Sequence, residues 1–178
     1  PHYIYLFFNK IFGVPFIWNY IFHFIFGGLG CVLLLKRLKT DDYSAIFGGL
    51  AFILTPYLIT MVVHGHGSQM MTSVYIPWVI WAIHRLKSSP KIYNLGILSV
   101  IIGFQLQRAH VQIAYYTWMI AGVLSIMLLF KFYEKNSNNL KWFIYSIFSF
   151  ILGLCMAMWI YLPVINYSPY SIRSAGSQ

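Results

Sequence analysis

The chain is a succession of apolar runs, several of them close to the roughly 20 residues a helix needs to cross a bilayer. Inside the hydrocarbon no water can bond a free peptide group, so each run must satisfy its own backbone as a helix. Six runs can be marked, at residues 16–35, 44–63, 70–83, 92–107, 111–130 and 142–161. They leave too little polar surface to coat a water-soluble globule. Of the 178 residues 60% are hydrophobic and 8% charged, whereas an average soluble domain is about one quarter charged. The expected fold class is all-α, a polytopic helical transmembrane bundle of about six spans, forming a single domain over residues 1–178.

A formal charge of +9 raises the question of nucleic acid. The Lys and Arg residues are scattered in small clusters between apolar runs and form no stripe, so no nucleic-acid partner is expected. Topology explains them better, since positive charge gathers on the cytoplasmic side. With six spans, Lys36, Arg37, Lys39, Arg85, Lys87, Lys91, Lys131, Lys135 and Lys141 share one side, leaving Lys10, Arg108 and Arg173 on the other, nine against three. The runs at 70–83 and 92–107 are short, and a re-entrant third run would change the division to five against seven. Six spans with both ends outside is the predicted arrangement.

Trp18 and Tyr20, Trp142, and Trp159 and Tyr161 sit where interface anchors belong. Residues 1–15 are too short to cross and carry Lys10, which predicts an amphipathic helix along the outer surface. Residues 162–178 begin an outer loop. The first residue is Pro1 and the polar tail "SIRSAGSQ" ends without a cap, so a piece of a longer protein is expected. Small residues at Gly27, Gly28, Gly30, Cys31, Ala45, Gly49, Gly153 and Ala157 predict close helix approach. Cys31 and Cys155 lie in apolar runs and suggest neither a disulfide nor a metal site. Pro56, Pro77 and Pro163 release the carbonyls of Phe52, Ser73 and Trp159, and Thr72 and Ser73 are expected to ease the break at Pro77.

Once the runs are assigned, the polar residues sort by side. Asp41, Asp42 and Glu134 are the only acids, all in loops beside lysines on the cytoplasmic side. The outer side carries His64, His66, Gln69, Gln105, Gln107, Arg108, His110, Gln112 and Arg173, with no carboxylate, a composition that favours an anion. Arg108 lies close to apolar sequence, where a guanidinium costs about 2.5–3.5 kcal/mol near the bilayer centre, so it either snorkels to headgroups or holds a ligand. Gln105, Arg108 and Gln112 would share a face if one helix ran through them.

His64 and His66 alternate with Gly65 and Gly67, which lets backbone amides approach a ligand. Three readings stay open there: a metal pair, incidental loop histidines, or an anion or sugar contact. No third metal ligand is in view on that side, so no metal is assigned. His23 and His84 are read as packing or interface residues. No acid can orient an outer histidine and no phosphate loop occurs, so no catalytic set is assigned.

The stretches "GHGSQMMTSVYIPWVIWAIHRL", "QLQRAHVQIAYYTW" and "YLPVINYSPYSIRS", in that order, resemble the bacterial YfhO-like multispanning membrane proteins. "NKIFGVPFIWNYIFHFIFGGLGCVLLLKRL" fits an earlier span, so the resemblance covers most of the chain. These proteins look like members of the GT-C class of membrane glycosyltransferases. The resemblance implies transfer of a sugar from a polyprenyl-phosphate carrier to a cell-envelope glycan acceptor, on the outer face of the bacterial cytoplasmic membrane. It implies no cofactor beyond that lipid-linked donor, and membrane lipids as surroundings. The donor phosphate would fall to Arg108 and Arg173, and the sugar hydroxyls to His64, His66, Gln69, His110, Gln112 and Tyr116. Enzymes of this class take the acceptor proton with an acid in the first outer loop. No acid here lies outside, which places that residue upstream or makes the chain an inactive relative. A transporter or flippase subunit for a lipid-linked or anionic solute is the alternative function, and a structural membrane subunit a third.

Overall fold

The structure, a computed structural model, describes residues 2–131 and 137–170. The helices are α1 (His2–Phe12), α2 (Ile17–Arg37), α3 (Asp42–Ile53), α4 (Pro56–Val63), α5 (Gly67–Ser73), α6 (Ile76–Ser88), α7 (Ile92–Leu106), α8 (Val111–Lys131) and α9 (Ser137–Tyr167), followed by a 3-10 turn at Ser168–Tyr170. No strand occurs among the described residues.

Local chemistry sets several of these boundaries. The Asp41 carboxylate accepts from the Ser44 backbone N–H at 2.9 Å, capping α3. That bond, made by both backbone and side chain of Ser44, holds the Asp41 carboxyl below its usual pKa range. Pro56 opens α4 and Pro77 lies in the first turn of α6, positions where a missing N–H costs nothing. Thus the run at 44–63 is two helices, α3 and α4, and the run at 70–83 is divided between α5 and α6. Thr72 and Ser73 do not ease the break at Pro77 as expected. Their hydroxyls bond the carbonyls of Ser68 and Gln69 at 2.8 Å, one turn back inside α5. Pro163 lies within α9, which continues to Tyr167, so residues 162–167 are helical where a loop was expected.

Contacts between distant residues define two ends of the bundle. At one, Arg37 reaches the His84 carbonyl, Arg85 donates to Asn94, and Lys87 donates to the Leu128 carbonyl. At the other, Tyr161 donates to the Leu106 carbonyl at 2.8 Å, and Gln107 reaches the Met156 carbonyl. The chain runs back and forth between this Arg85 end and the Arg108 end. Ile17–Arg37, Asp42–Val63, Val111–Phe130 and Leu140–Tyr170 are each long and apolar enough to cross a membrane. The 15-residue α7 rises only about 22 Å, but it packs on α6 and α9 and needs little lipid contact of its own.

Leu98 and Ile102 of α7 and Val79, Ile83 and Leu86 of α6 are fully buried, forming the centre with Met70 and Val74. By contrast only 17–28% of each candidate span is buried. Large apolar side chains such as Leu29, Phe47, Val123 and Ile147 face outward. A water-soluble monomer does not expose apolar surface on that scale, whereas hydrocarbon accepts it. The chain is therefore a multi-pass membrane protein. Packing replaces the hydrophobic drive where helices meet: a Cβ on Gly153 would lie 3.0 Å from the Ser99 carbonyl of α7, and one on Gly49 3.0 Å from the Gly28 carbonyl of α2.

Candidate functional site

Arg108 sits in the turn joining α7 to α8. The helix stops at Leu106, and Ala109 adopts a left-handed φ of 64° before α8 begins at Val111. One helix does not run through Gln105, Arg108 and Gln112, so the condition for their sharing a face is not met. Gln105 points into the bundle, fully buried, and donates to the Thr117 hydroxyl at 3.0 Å. Gln112 is exposed on α8 and donates to the Tyr116 hydroxyl at 2.8 Å.

Arg108 is only 8% exposed, and its Nε–H is buried with no hydrogen-bond partner. The helix α1 covers it. The guanidinium lies 6.0 Å over the Tyr3 ring, and the Tyr3 hydroxyl donates to the Gln107 side chain at 2.7 Å. One residue earlier, His2 Nδ1 donates to the Asn19 amide oxygen at 3.2 Å. Burial, and after it the Arg108 charge, hold the His2 imidazole below its ordinary pKa. Asn19 is fully buried, its Nδ2 reaching Met71 Sδ and its backbone carbonyl accepting from His23 Nδ1 at 2.6 Å. Tyr75, buried at the junction of α5 and α6, lines a neighbouring groove with Phe104, whose ring lies 5.8 Å from that of Tyr3. His2, Tyr3, Asn19, His23 and Arg108 thus make one polar cluster under α1.

This cluster was only partly legible from sequence. Arg108 stands out in the sequence, and His23, expected as a packing or interface residue, is fully buried and also donates to the Asn19 carbonyl. Asn19, whose polarity inside an apolar run was the available signal, was missed. The remaining candidates disperse. His64 and His66 are exposed in the α4–α5 connection, His64 Nδ1 donating to the Thr60 carbonyl at 2.9 Å. Gln69 is half-buried on α5, and His110 is half-buried with its Nδ1 unpartnered. Tyr116 lines a separate groove of about 340 Å³ with Thr55, Tyr57, Ser73 and Thr117. Arg173 lies outside the described residues.

A second feature adjoins the cluster. Between α2, α6 and α7 runs a groove of about 560 Å³, walled by Phe26, Trp78, Trp81, Tyr93, Ile97, Val100 and Ile101. Tyr75 and Phe104 also line it. Phe104 connects the groove to the cluster, its ring lying 5.8 Å from that of Tyr3. The wall is held stiffly: Phe26 stacks on Trp78 at 4.7 Å, and the Trp78 indole N–H donates to the Phe26 carbonyl at 2.8 Å. The groove is apolar along its length and has a guanidinium beyond one end.

Charge balance is the anomaly of the site. Asp41 and Asp42 belong to the Arg85 end, Asp42 paired with Lys36, and no carboxylate contact of Arg108 occurs among the described residues. A buried cation without a counter-charge is strongly unfavourable unless an anion completes it. Among the described residues no three His, Cys, Asp or Glu side chains come together as metal ligands. Fold and site define a helical membrane protein with a covered polar cluster around an arginine at one end. No known family, curated protein or solved structure matches the chain.

Proposed function

We propose that this chain is the donor-binding membrane region of a glycosyltransferase of the GT-C type, holding a polyprenyl-phosphate-linked sugar at the outer face of a bacterial cytoplasmic membrane for transfer to an envelope glycan. The observation that carries it is Arg108, nine-tenths buried with its Nε–H unpartnered and no carboxylate nearby. A phosphodiester supplies the missing charge and accepts charge-assisted hydrogen bonds from the guanidinium. The aromatic groove next to it offers an apolar path for the carrier's hydrocarbon chain. No acid joins Arg108 among the described residues, so the role proposed for this part is to seat the donor.

The distribution of buried polar groups favours binding at one end over passage through the bundle. Ser99, Ser125, Ser146 and Ser149 each return a hydroxyl to the carbonyl four residues back, so these four polar groups are already satisfied by their own helices. Binding of a polyprenyl phosphate to the protein in nanodiscs tests the reading. Arg108→Ala is expected to weaken it by at least tenfold, and Arg108→Lys, which keeps the charge but loses the planar fork, by less. Unchanged affinity in Arg108→Ala overturns the assignment. Lipid movement between leaflets in proteoliposomes, at a rate that Arg108→Ala lowers, would replace it with the flippase reading.

A further inference from the structure

His23 is fully buried in α2, and its two ring nitrogens have different fates. Nδ1 lies 2.6 Å from the Asn19 backbone carbonyl. A carbonyl oxygen can only accept, so Nδ1 carries the proton, and in the neutral ring Nε2 is a bare lone pair. That Nε2 is buried and has no partner. An acceptor in this position is costly unless some O–H or N–H completes it. The ring joins the Arg108 cluster through Asn19, whose carbonyl accepts from His23 and whose side chain accepts from His2 at 3.2 Å, next to the Tyr3 ring that lies under the guanidinium. The His2 imidazole of α1 thus covers this part of the cluster. The short link after α1 contains Gly13, at φ 64°, a conformation that glycine adopts without a Cβ penalty.

Arg108 and His23 are chemically complementary to two parts of one molecule. The guanidinium offers N–H to an anionic oxygen, and Nε2 requires an O–H. A bare phosphate monoester satisfies the first alone, while a glycosyl phosphate brings hydroxyl groups within a sugar ring's breadth of its phosphate. Resting on the donor-binding role proposed above, we infer that His23 is the residue that distinguishes a glycosylated carrier from the bare carrier, its Nε2 accepting a hydroxyl of the sugar whose phosphate lies on Arg108. The headgroup takes the space that the His2 side chain fills in this structure. A site built to bond a hydroxyl rejects the analogue that lacks it, because its own buried acceptor is then left unpaired.

The test compares two probes, a polyprenyl phosphate and the same lipid carrying an unsubstituted hexose, on the whole chain in nanodiscs. Wild type is expected to prefer the hexosyl lipid. His23→Asn, which keeps a donor for the Asn19 carbonyl but has no group at the Nε2 position, is expected to lose that preference by about tenfold while binding the bare lipid as before. His23→Gln, whose amide oxygen reaches the Nε2 position, is expected to restore most of it. Should His23→Asn retain the preference, His23 is a structural residue and the inference fails, while the donor-binding reading stands. Should Arg108→Ala bind both lipids like wild type, the underlying reading itself falls. Nitrogen-15 shifts of histidine in the unmutated protein give a check independent of folding in the variants. The His23 Nε2 resonance should move upfield with the hexosyl lipid and stay in place with the bare one, and the absence of any movement overturns the inference.

Discussion

The guanidinium of Arg108 stands 6.0 Å over the ring of Tyr3, and the hydroxyl of that same tyrosine donates to Gln107, the residue before the arginine. One aromatic side chain therefore clasps the α7–α8 turn from both sides and ties the short α1 to the bundle. Most of the rest of α1 is apolar and outward-facing, including Phe7 and Phe12, as suits a helix lying in the bilayer interface. Its docking buries a positive charge, and several outcomes follow from that arrangement.

Arg108→Met should separate stability from function. The substitution keeps an unbranched side chain and removes an uncompensated buried charge, which is expected to stabilise the fold by roughly 1–3 kcal/mol. The thermal midpoint in detergent should rise while affinity for polyprenyl phosphate falls. A lowered midpoint would mean that the guanidinium is satisfied within the protein.

Gly96 on α7 lines the aromatic groove, and a Cβ placed there meets nothing within 4 Å. Gly96→Ala should therefore fold as well as wild type or better, given alanine's greater helix propensity. Gly96→Phe should fill the groove and reduce affinity for long-chain polyprenyl phosphate without lowering the thermal midpoint. Equal affinity in both variants would remove the groove from the carrier's path.

At the α7–α9 contact the outcome reverses. A Cβ on Gly153 would lie 2.6 Å from Ile102 and 3.0 Å from the Ser99 carbonyl, the latter being backbone that cannot step aside. Gly153→Ala should cost about 1–3 kcal/mol by forcing α9 away from α7. The neighbouring control is Gly122→Ala, where nothing lies within 4 Å of the added carbon. Thermal unfolding of the pair should show a loss at position 153 only.

The docking of α1 should depend on pH through His2. Its imidazole is held below the ordinary 6.5 by burial and by Arg108, so the docked state favours the neutral ring. The groups around it are Arg108, His23, Asn19, Tyr3 and Tyr5. Docking stability is complete above pH 6.5, the undocked value, and declines as pH falls toward the lowered docked value. Amide exchange in α1 should accelerate in that range, and His2→Gln should flatten the dependence. Slower exchange on acidification would contradict the placement of His2.

Much of the fold follows from composition and pattern alone. Continuous apolar runs of about 20 residues point to helices in a bilayer, since the other structure that satisfies every backbone group there, a closed barrel, is built from shorter strands of alternating polarity. The close approaches at Gly49 and Gly153 were likewise legible as small residues inside long apolar runs. Less legible was how helices divide: Pro56 and Pro77 each start a new helix, since a proline fits a first turn better than an interior.

For the candidate site the balance differs. Arg108 announced itself, as any guanidinium beside an apolar run must. That Tyr3 lies under it, that His2, Asn19 and His23 are bonded to one another beside Tyr3, and that His64, His66 and the Gln112–Tyr116 pair stand elsewhere, depended on how the helices pack. The left-handed Ala109 turns α8 away from the line of α7, and that one backbone conformation separates residues that helical spacing alone would have placed together. Spacing along a chain determines neighbours only within one helix, whereas contacts between helices rest on where turns reverse and which side chains leave room.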